Sequence, residues 1–133
     1  MLMPTIHFNG NCNEAIMFYK DNLNAVIKEI AYAKDAPPDS GMDGYPPDFI
    51  MHSEIEIFGS LCGMTDGSDG NLSIDSFCFT LFFDNDDDVK RIFNILSDGG
   101  TIVEPLQPQF WTSMYGYVKD RFGINWSINT RCC

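Results

Sequence analysis

One feature constrains this chain more than any other: a strand–turn–helix unit that occurs twice. In the first copy, Thr5-Ile6-His7-Phe8 places Ile6 and Phe8 on one strand face and Thr5 and His7 on the other. Asn9-Gly10-Asn11 breaks the strand, and Asn11 precedes Glu14 by three, the spacing of a helix capping box. Cys12, Ala15, Ile16, Tyr19 and Leu23 then recur on one helical face. The second copy runs from Phe77 to Leu96. Phe77, Phe79, Leu81 and Phe83 alternate with Cys78, Thr80 and Phe82. Asp84 is expected to open a helix, with Asp87 at the third capping position and Val89, Ile92, Phe93 and Leu96 as its buried stripe, up to Gly99-Gly100.

The segments after the two units are also similar. Ala25 to Tyr32 reads as a strand, and Phe49 to Phe58 and Leu61 to Met64 as a hairpin across Gly59-Ser60. In the second half, Thr101 to Leu106 is expected to be a strand ended by Pro105 and Pro108. Tyr115 to Lys119 and Ile124 to Asn129 form a hairpin in which Gly123 supplies a positive backbone angle. The predicted fold class is therefore α+β: two βαβββ modules, about 1–65 and about 76–131, forming cupped mixed sheets around a cleft within a single domain over 1–133. The polar stretch Thr65 to Asp75 is expected to link them. Ala33 to Asp48, rich in Pro and Gly, is either a lid over a site or a mobile insert.

Charge and cysteine usage narrow the function. Nineteen acidic against eight basic residues give a formal net charge of −11, which excludes a phosphate-neutralising nucleic-acid binder and disfavours an anionic membrane surface. No apolar run approaches membrane-span length and no signal peptide is visible. Five cysteines without a Cys-x-x-Cys spacing suggest neither a disulfide framework nor a zinc knuckle, and a cytoplasmic protein is expected. Cys132-Cys133 reads as a frayed tail. Asp86-Asp87-Asp88 lacks the calcium-loop ligand pattern and reads as a solvated helix start.

The candidate site residues lie on predicted open faces. His52, Glu54 and Glu56 alternate along one strand and so share a face able to act as acid/base or to bind a polar ligand; the alternative is a solvated strand face. His7 has the same outward parity. Phe110-Trp111, flanked by Pro108, can wall an apolar pocket, plug the core or join an interface. No nucleophile motif is present.

Phe8-Asn9-Gly10-Asn11-Cys12-Asn13-Glu14-Ala15 with Phe18-Tyr19-Lys20 resembles the opening of the PhnB-like branch of the vicinal oxygen chelate superfamily, the relatives of glyoxalase, bleomycin resistance protein and extradiol dioxygenase. Met51-His52-Ser53-Glu54, Leu96-Ser97-Asp98-Gly99-Gly100, Pro105-Leu106, Phe110-Trp111, Gly116, Asp120, Phe122-Gly123 and Trp126 continue the resemblance in order. It implies paired βαβββ modules, a homodimer and a pocket inside the cupped sheets. The expected partner is a small organic molecule, bound by His7, His52, Glu54, Glu56, Thr80, Phe110, Trp111 and Ser127. Many superfamily members hold a divalent metal; the corresponding positions here are Met3, Glu54 or Glu56, Cys78 and Ser127. That donor set is poor, so the expectation is no metal and no cofactor. The alternatives are a metal-dependent glyoxalase-type lyase or dioxygenase, and a drug-sequestering bleomycin-type resistance protein. Some members carry a demethylubiquinone-methyltransferase label, but no Gly-rich loop with an acidic partner suited to a methyl-donor nucleotide is present here.

Overall fold

The computed structural model describes residues 1–42, 44–68 and 75–131. The strand–turn–helix units form where the alternation predicts them: β1 spans Thr5–Phe8 and α1 Cys12–Leu23, while β5 spans Phe79–Phe83 and α2 Asp86–Ser97. After α1 come β2 (Val26–Tyr32), a short 3-10 turn (Ala33–Asp35), β3 (Ile50–Ile57) and β4 (Ser60–Asp66); after α2 come β6 (Thr101–Gln109), β7 (Thr112–Lys119) and β8 (Asn125–Thr130). The chain divides into two compact units, Met1–Asn71 and Leu72–Cys133. Each holds a four-stranded sheet of the same order, β1-β4-β3-β2 in the first and β5-β8-β7-β6 in the second. In both, the first strand pairs in parallel with the last and the other pairs are antiparallel.

Each helix buries the stripe its sequence defines: Cys12, Ala15, Ile16, Tyr19 and Leu23 on α1, and Val89, Ile92, Phe93 and Leu96 on α2. Beneath α1 lie Phe8, Ile55 and Met64, all fully buried. In the second unit Phe93 packs onto Gly116 of β7; a Cβ at Gly116 would stand 2.5 Å from the Phe93 ring and 2.9 Å from Leu106. Burying such side chains contributes roughly 1.5–3 kcal/mol each, against about 1 kcal/mol for a helix cap. Packing thus fixes the helices, and the caps can vary.

They do vary from expectation. Asn11 occupies the N-cap of α1 but makes no side-chain cap bond, so the Asn11–Glu14 capping box does not form. The backbone N–H of Cys12 donates instead to Asp66 Oδ1 (3.1 Å), and Ile50 N–H donates to Asp66 Oδ2 (3.0 Å). Asp66, buried at the end of β4, ties the helix start to the start of β3. Thr65 and Asp66 therefore belong to the sheet rather than to a linker; residues 69–74 of the expected linker, and the Cys132-Cys133 tail, lie outside the described residues. In α2 the cap is Asn85, not Asp84: Asn85 Oδ1 accepts from Asp88 N–H (2.8 Å). Asp86 is more than solvated charge, because Ser113 and Thr130 both donate to its Oδ1 at 2.6 Å, pinning α2 to β7 and β8.

Strand β6 does not end at Pro105 and Pro108 but runs through both. It is the edge strand, and the two prolines fall among its register shifts, where no ladder N–H is required. Between β7 and β8, Gly123 adopts φ 91, as the turn demands. Asp120 organises that turn: its Oδ1 accepts from Phe122 and Ile124 N–H (2.9 and 3.0 Å), and its Oδ2 from Trp126 Nε1 (2.9 Å). The base of the 33–48 segment is closed by Ala33 N–H to Phe49 O (2.8 Å) and Lys34 N–H to Pro47 O (3.1 Å).

Candidate functional site

Strand alternation leaves each sheet an open face, turned away from its helix. On the first unit, register sets Thr5, Gly63, Glu54 and Glu29 in one row across β1, β4, β3 and β2. His7 Nδ1 shares a 2.8 Å hydrogen bond with Thr65 Oγ1 on the neighbouring strand. His52, Glu54 and Glu56 share this face as the spacing predicts. Glu56, however, pairs with Lys28 (3.3 Å), while His52 Nε2 stands 3.9 Å from Glu54 Oε2. The sequence did not identify Glu29 as part of the group. A bulge at Lys28, between the Ile27–Ile55 and Glu29–Glu54 pairs, sets Glu29 directly opposite Glu54.

The second unit's open face is built from two adjacent rows. Thr80, Ser127, Tyr117 and Glu104 form one; Phe82, Asn129, Tyr115 and Gln107 form the next. Trp111 Nε1 donates to Asn129 Oδ1 (3.4 Å), and Asn129 Nδ2 donates to Ser127 Oγ (3.0 Å). The Trp111 ring meets Tyr115 edge-on at 5.4 Å. Burial raises the pKa of both Tyr115 and Tyr117; Glu104 adds to the shift at Tyr115, and Cys78, which hydrogen-bonds Tyr117, adds to it there. Both phenols therefore stay protonated and can donate at neutral pH.

The structure thus brings Thr80, Ser127 and Trp111 together on the second unit, and His7, His52, Glu54 and Glu56 on the first. Phe110 is 97% exposed at the tip of the β6–β7 turn and touches the Trp111 ring at 4.9 Å. Sequence reasoning misses Tyr115 and Tyr117, because β7 reads from its own residues only as a hairpin arm; their parity with Ser127 across the pair is the available signal.

The metal positions that the superfamily implies can be tested against this register. Ser127 lies on β8 beside Thr80, and the corresponding place on β4 beside Thr5 is Gly63, whereas Glu54 and Glu56 lie on β3, one strand further out. Gly63 offers no donor, and a Cβ there would meet Thr5 Oγ1 at 2.6 Å and the Met3 methyl at 3.2 Å. Cys78 sits 3.8 Å from the Thr80 hydroxyl and is engaged by Tyr117. A thioether, a glycine, an engaged thiol and a serine hydroxyl do not fit a hard divalent cation.

Paired units of one helix on a four-stranded sheet, each with an open face, define the glyoxalase/bleomycin-resistance-like fold of the vicinal oxygen chelate superfamily. Within it the chain belongs to the PhnB-like family whose model is described as 3-demethylubiquinone-9 3-methyltransferase, matched over residues 1–129. The chain is 33% identical over 138 residues to protein YjdN of Escherichia coli K12, covering 96% of this chain and 93% of that protein. Protein PA1353 of Pseudomonas aeruginosa has a similar structure (28% identity, TM-score 0.83, covering 98% and 97% of the two chains). A putative 3-demethylubiquinone-9 3-methyltransferase, PhnB protein, of Bacillus cereus shares the fold at 17% identity (TM-score 0.81, covering 97% and 98%).

Proposed function

We propose that this chain is a small-molecule-binding protein whose organic ligand lies on the open face of the second unit, held by hydrogen bonds and aromatic contact without a metal. The observation that carries this reading is the pair of rows Thr80–Ser127–Tyr117–Glu104 and Phe82–Asn129–Tyr115–Gln107. They place hydroxyl and amide groups beside aromatic rings, the mix of apolar walls and a few oriented polar groups that small-molecule sites use. Because Ser127 Oγ already accepts from Asn129, its own hydrogen is oriented to donate elsewhere. Trp111, about half exposed, edges the face and reports on it.

The poor donor set at the superfamily's metal positions weighs against the metal-dependent lyase or dioxygenase reading, and a drug-sequestering protein would differ from the present reading only in its ligand. The resemblance also supports a homodimer, which light scattering at micromolar concentration tests, and the cysteine usage supports a reducing cytoplasm. For the site itself, the expected outcome is saturable quenching of Trp111 fluorescence by an aromatic probe such as anilinonaphthalene sulfonate. Ser127→Ala and Tyr117→Phe should each weaken binding roughly three- to tenfold, the worth of one hydrogen bond. Equal binding by wild type and both variants would refute the placement.

A further inference from the structure

We propose that Glu29, His52 and Glu54, on the open face of the first unit, form a binding site for a divalent transition-metal ion of the zinc class. The site lies on β2 and β3, where Glu54 is the one residue shared with the positions that the superfamily resemblance offers, and it does not involve the ligand face proposed above. One ligand atom from each of the three side chains lies within 4.8 Å of the other two. Three donors held at about 2.0–2.2 Å from one ion stand about 3.3–3.8 Å apart, so side-chain rotations that move the ligand atoms by about 1 Å close the set, and Glu29 and His52 are exposed and Glu54 half-buried. One imidazole and two carboxylates converge on a point from two strands, so the ion is not approached from one strand alone.

The backbone builds this convergence. In an unbroken β2–β3 register Lys28 would oppose Glu54, a complementary pair. The bulge displaces Lys28 and turns Glu29 onto Glu54 instead, two carboxylates on directly opposed residues. Like charges so placed repel each other and destabilise the sheet, and the net charge of −11 adds to the cost. Lys28 turns to Glu56 rather than to this pair, and among the described residues no lysine or arginine lies within ion-pair distance of Glu29 or Glu54. A bulge that re-aims a side chain toward a like charge, with an imidazole beside the pair, is explained by a cation between them. Mixed imidazole and carboxylate ligands suit zinc, iron or nickel better than calcium or magnesium. Three protein ligands on an open sheet face leave a coordination position for water or a ligand.

The test is titration of the full-length, chelator-treated protein with Zn2+ by calorimetry, repeated with Co2+ as a spectroscopic probe. One equivalent should bind, and Glu29→Gln and His52→Gln should each weaken binding at least tenfold. Asp21→Asn, which removes the same charge from the exposed side of α1 in the same unit, should bind as wild type. The Co2+ complex should lack a thiolate charge-transfer band, which distinguishes this site from binding at cysteines. No stoichiometric binding, a thiolate band that carries all the binding, or equal losses in Glu29→Gln and Asp21→Asn would overturn the proposal. Far-ultraviolet circular dichroism confirms that each variant is folded.

Discussion

Asp120 gathers three hydrogen bonds at one buried carboxylate, and removing it yields a sharp prediction. The residue is 4% exposed; one oxygen accepts from Phe122 and Ile124 N–H and the other from Trp126 Nε1. Hydrogen bonds to a charged acceptor are each worth roughly 1.5–3 kcal/mol, but they share one group and do not add. In Asp120→Ala the two turn N–H groups can rehydrate as the β7–β8 turn loosens. Trp126 Nε1 cannot, because that side chain is 1% exposed, and an orphaned buried donor alone costs about 1–3 kcal/mol. The sum for Asp120→Ala is roughly 3–5 kcal/mol. Asp120→Asn keeps an oxygen for the two backbone donors but turns an NH2 toward Trp126, so it should cost about 1–3 kcal/mol. Urea denaturation followed by tryptophan fluorescence measures both. With a slope of about 1–3 kcal/mol/M, the Asp120→Ala midpoint should fall by roughly 1 M or more. Adding Trp126→Phe should recover part of the Asp120→Asn loss, since the opposed donor is then gone. A loss below about 1 kcal/mol for Asp120→Ala, or no coupling between Asp120→Asn and Trp126→Phe, would refute the reasoning.

Gly116→Ala should destabilise by about 1–3 kcal/mol, because its Cβ would press on the Phe93 ring at 2.5 Å; a neutral result in the same denaturation assay would show that α2 can shift freely. Hydrogen bonds from Ser113 and then Thr130 hold the Asp86 carboxyl below its ordinary pKa. Asp86 therefore stabilises the fold fully above the unfolded-state carboxylate pKa and loses that contribution as pH falls through the lowered folded value. The stability gap between wild type and Asp86→Asn should close on acidification, and a gap independent of pH would contradict this. Burial pushes the Cys62 thiol up to about 11, and burial with the nearby Asp66 charge raises Cys12 further. Both should resist alkylation at neutral pH until the protein unfolds, as peptide mapping after iodoacetamide treatment would show.

The helices were legible because their signal is local. A 3.6-residue apolar stripe and a turn of Asn and Gly define α1 and α2 without reference to the rest of the chain, and the buried residues are those the stripe names. Partners far apart in sequence were not legible. Asp66 replaces Glu14 at the start of α1 from more than fifty residues away (|i−j| 54), and no local pattern favours it over the Asn11 box. Pro105 and Pro108 read as strand breakers because nothing local reveals that β6 is an edge. The open faces were half legible: alternation placed His52, Glu54, Thr80 and Ser127 correctly, but one bulged residue at Lys28 was enough to hide Glu29. Tyr115 and Tyr117 needed the β7–β8 register to join Ser127.

The central claim is that the second unit's open face holds a small organic molecule, and native mass spectrometry tests it most directly. Protein purified without chelator, and then incubated with extract of small metabolites from its own host, should carry one additional organic mass per chain. Collisional release should free that mass as a molecule without metal, and the Ser127→Ala, Tyr117→Phe double variant should lose it while keeping its fold. A chain that stays bare under these conditions, or one whose bound mass persists unchanged in the double variant, would contradict the account.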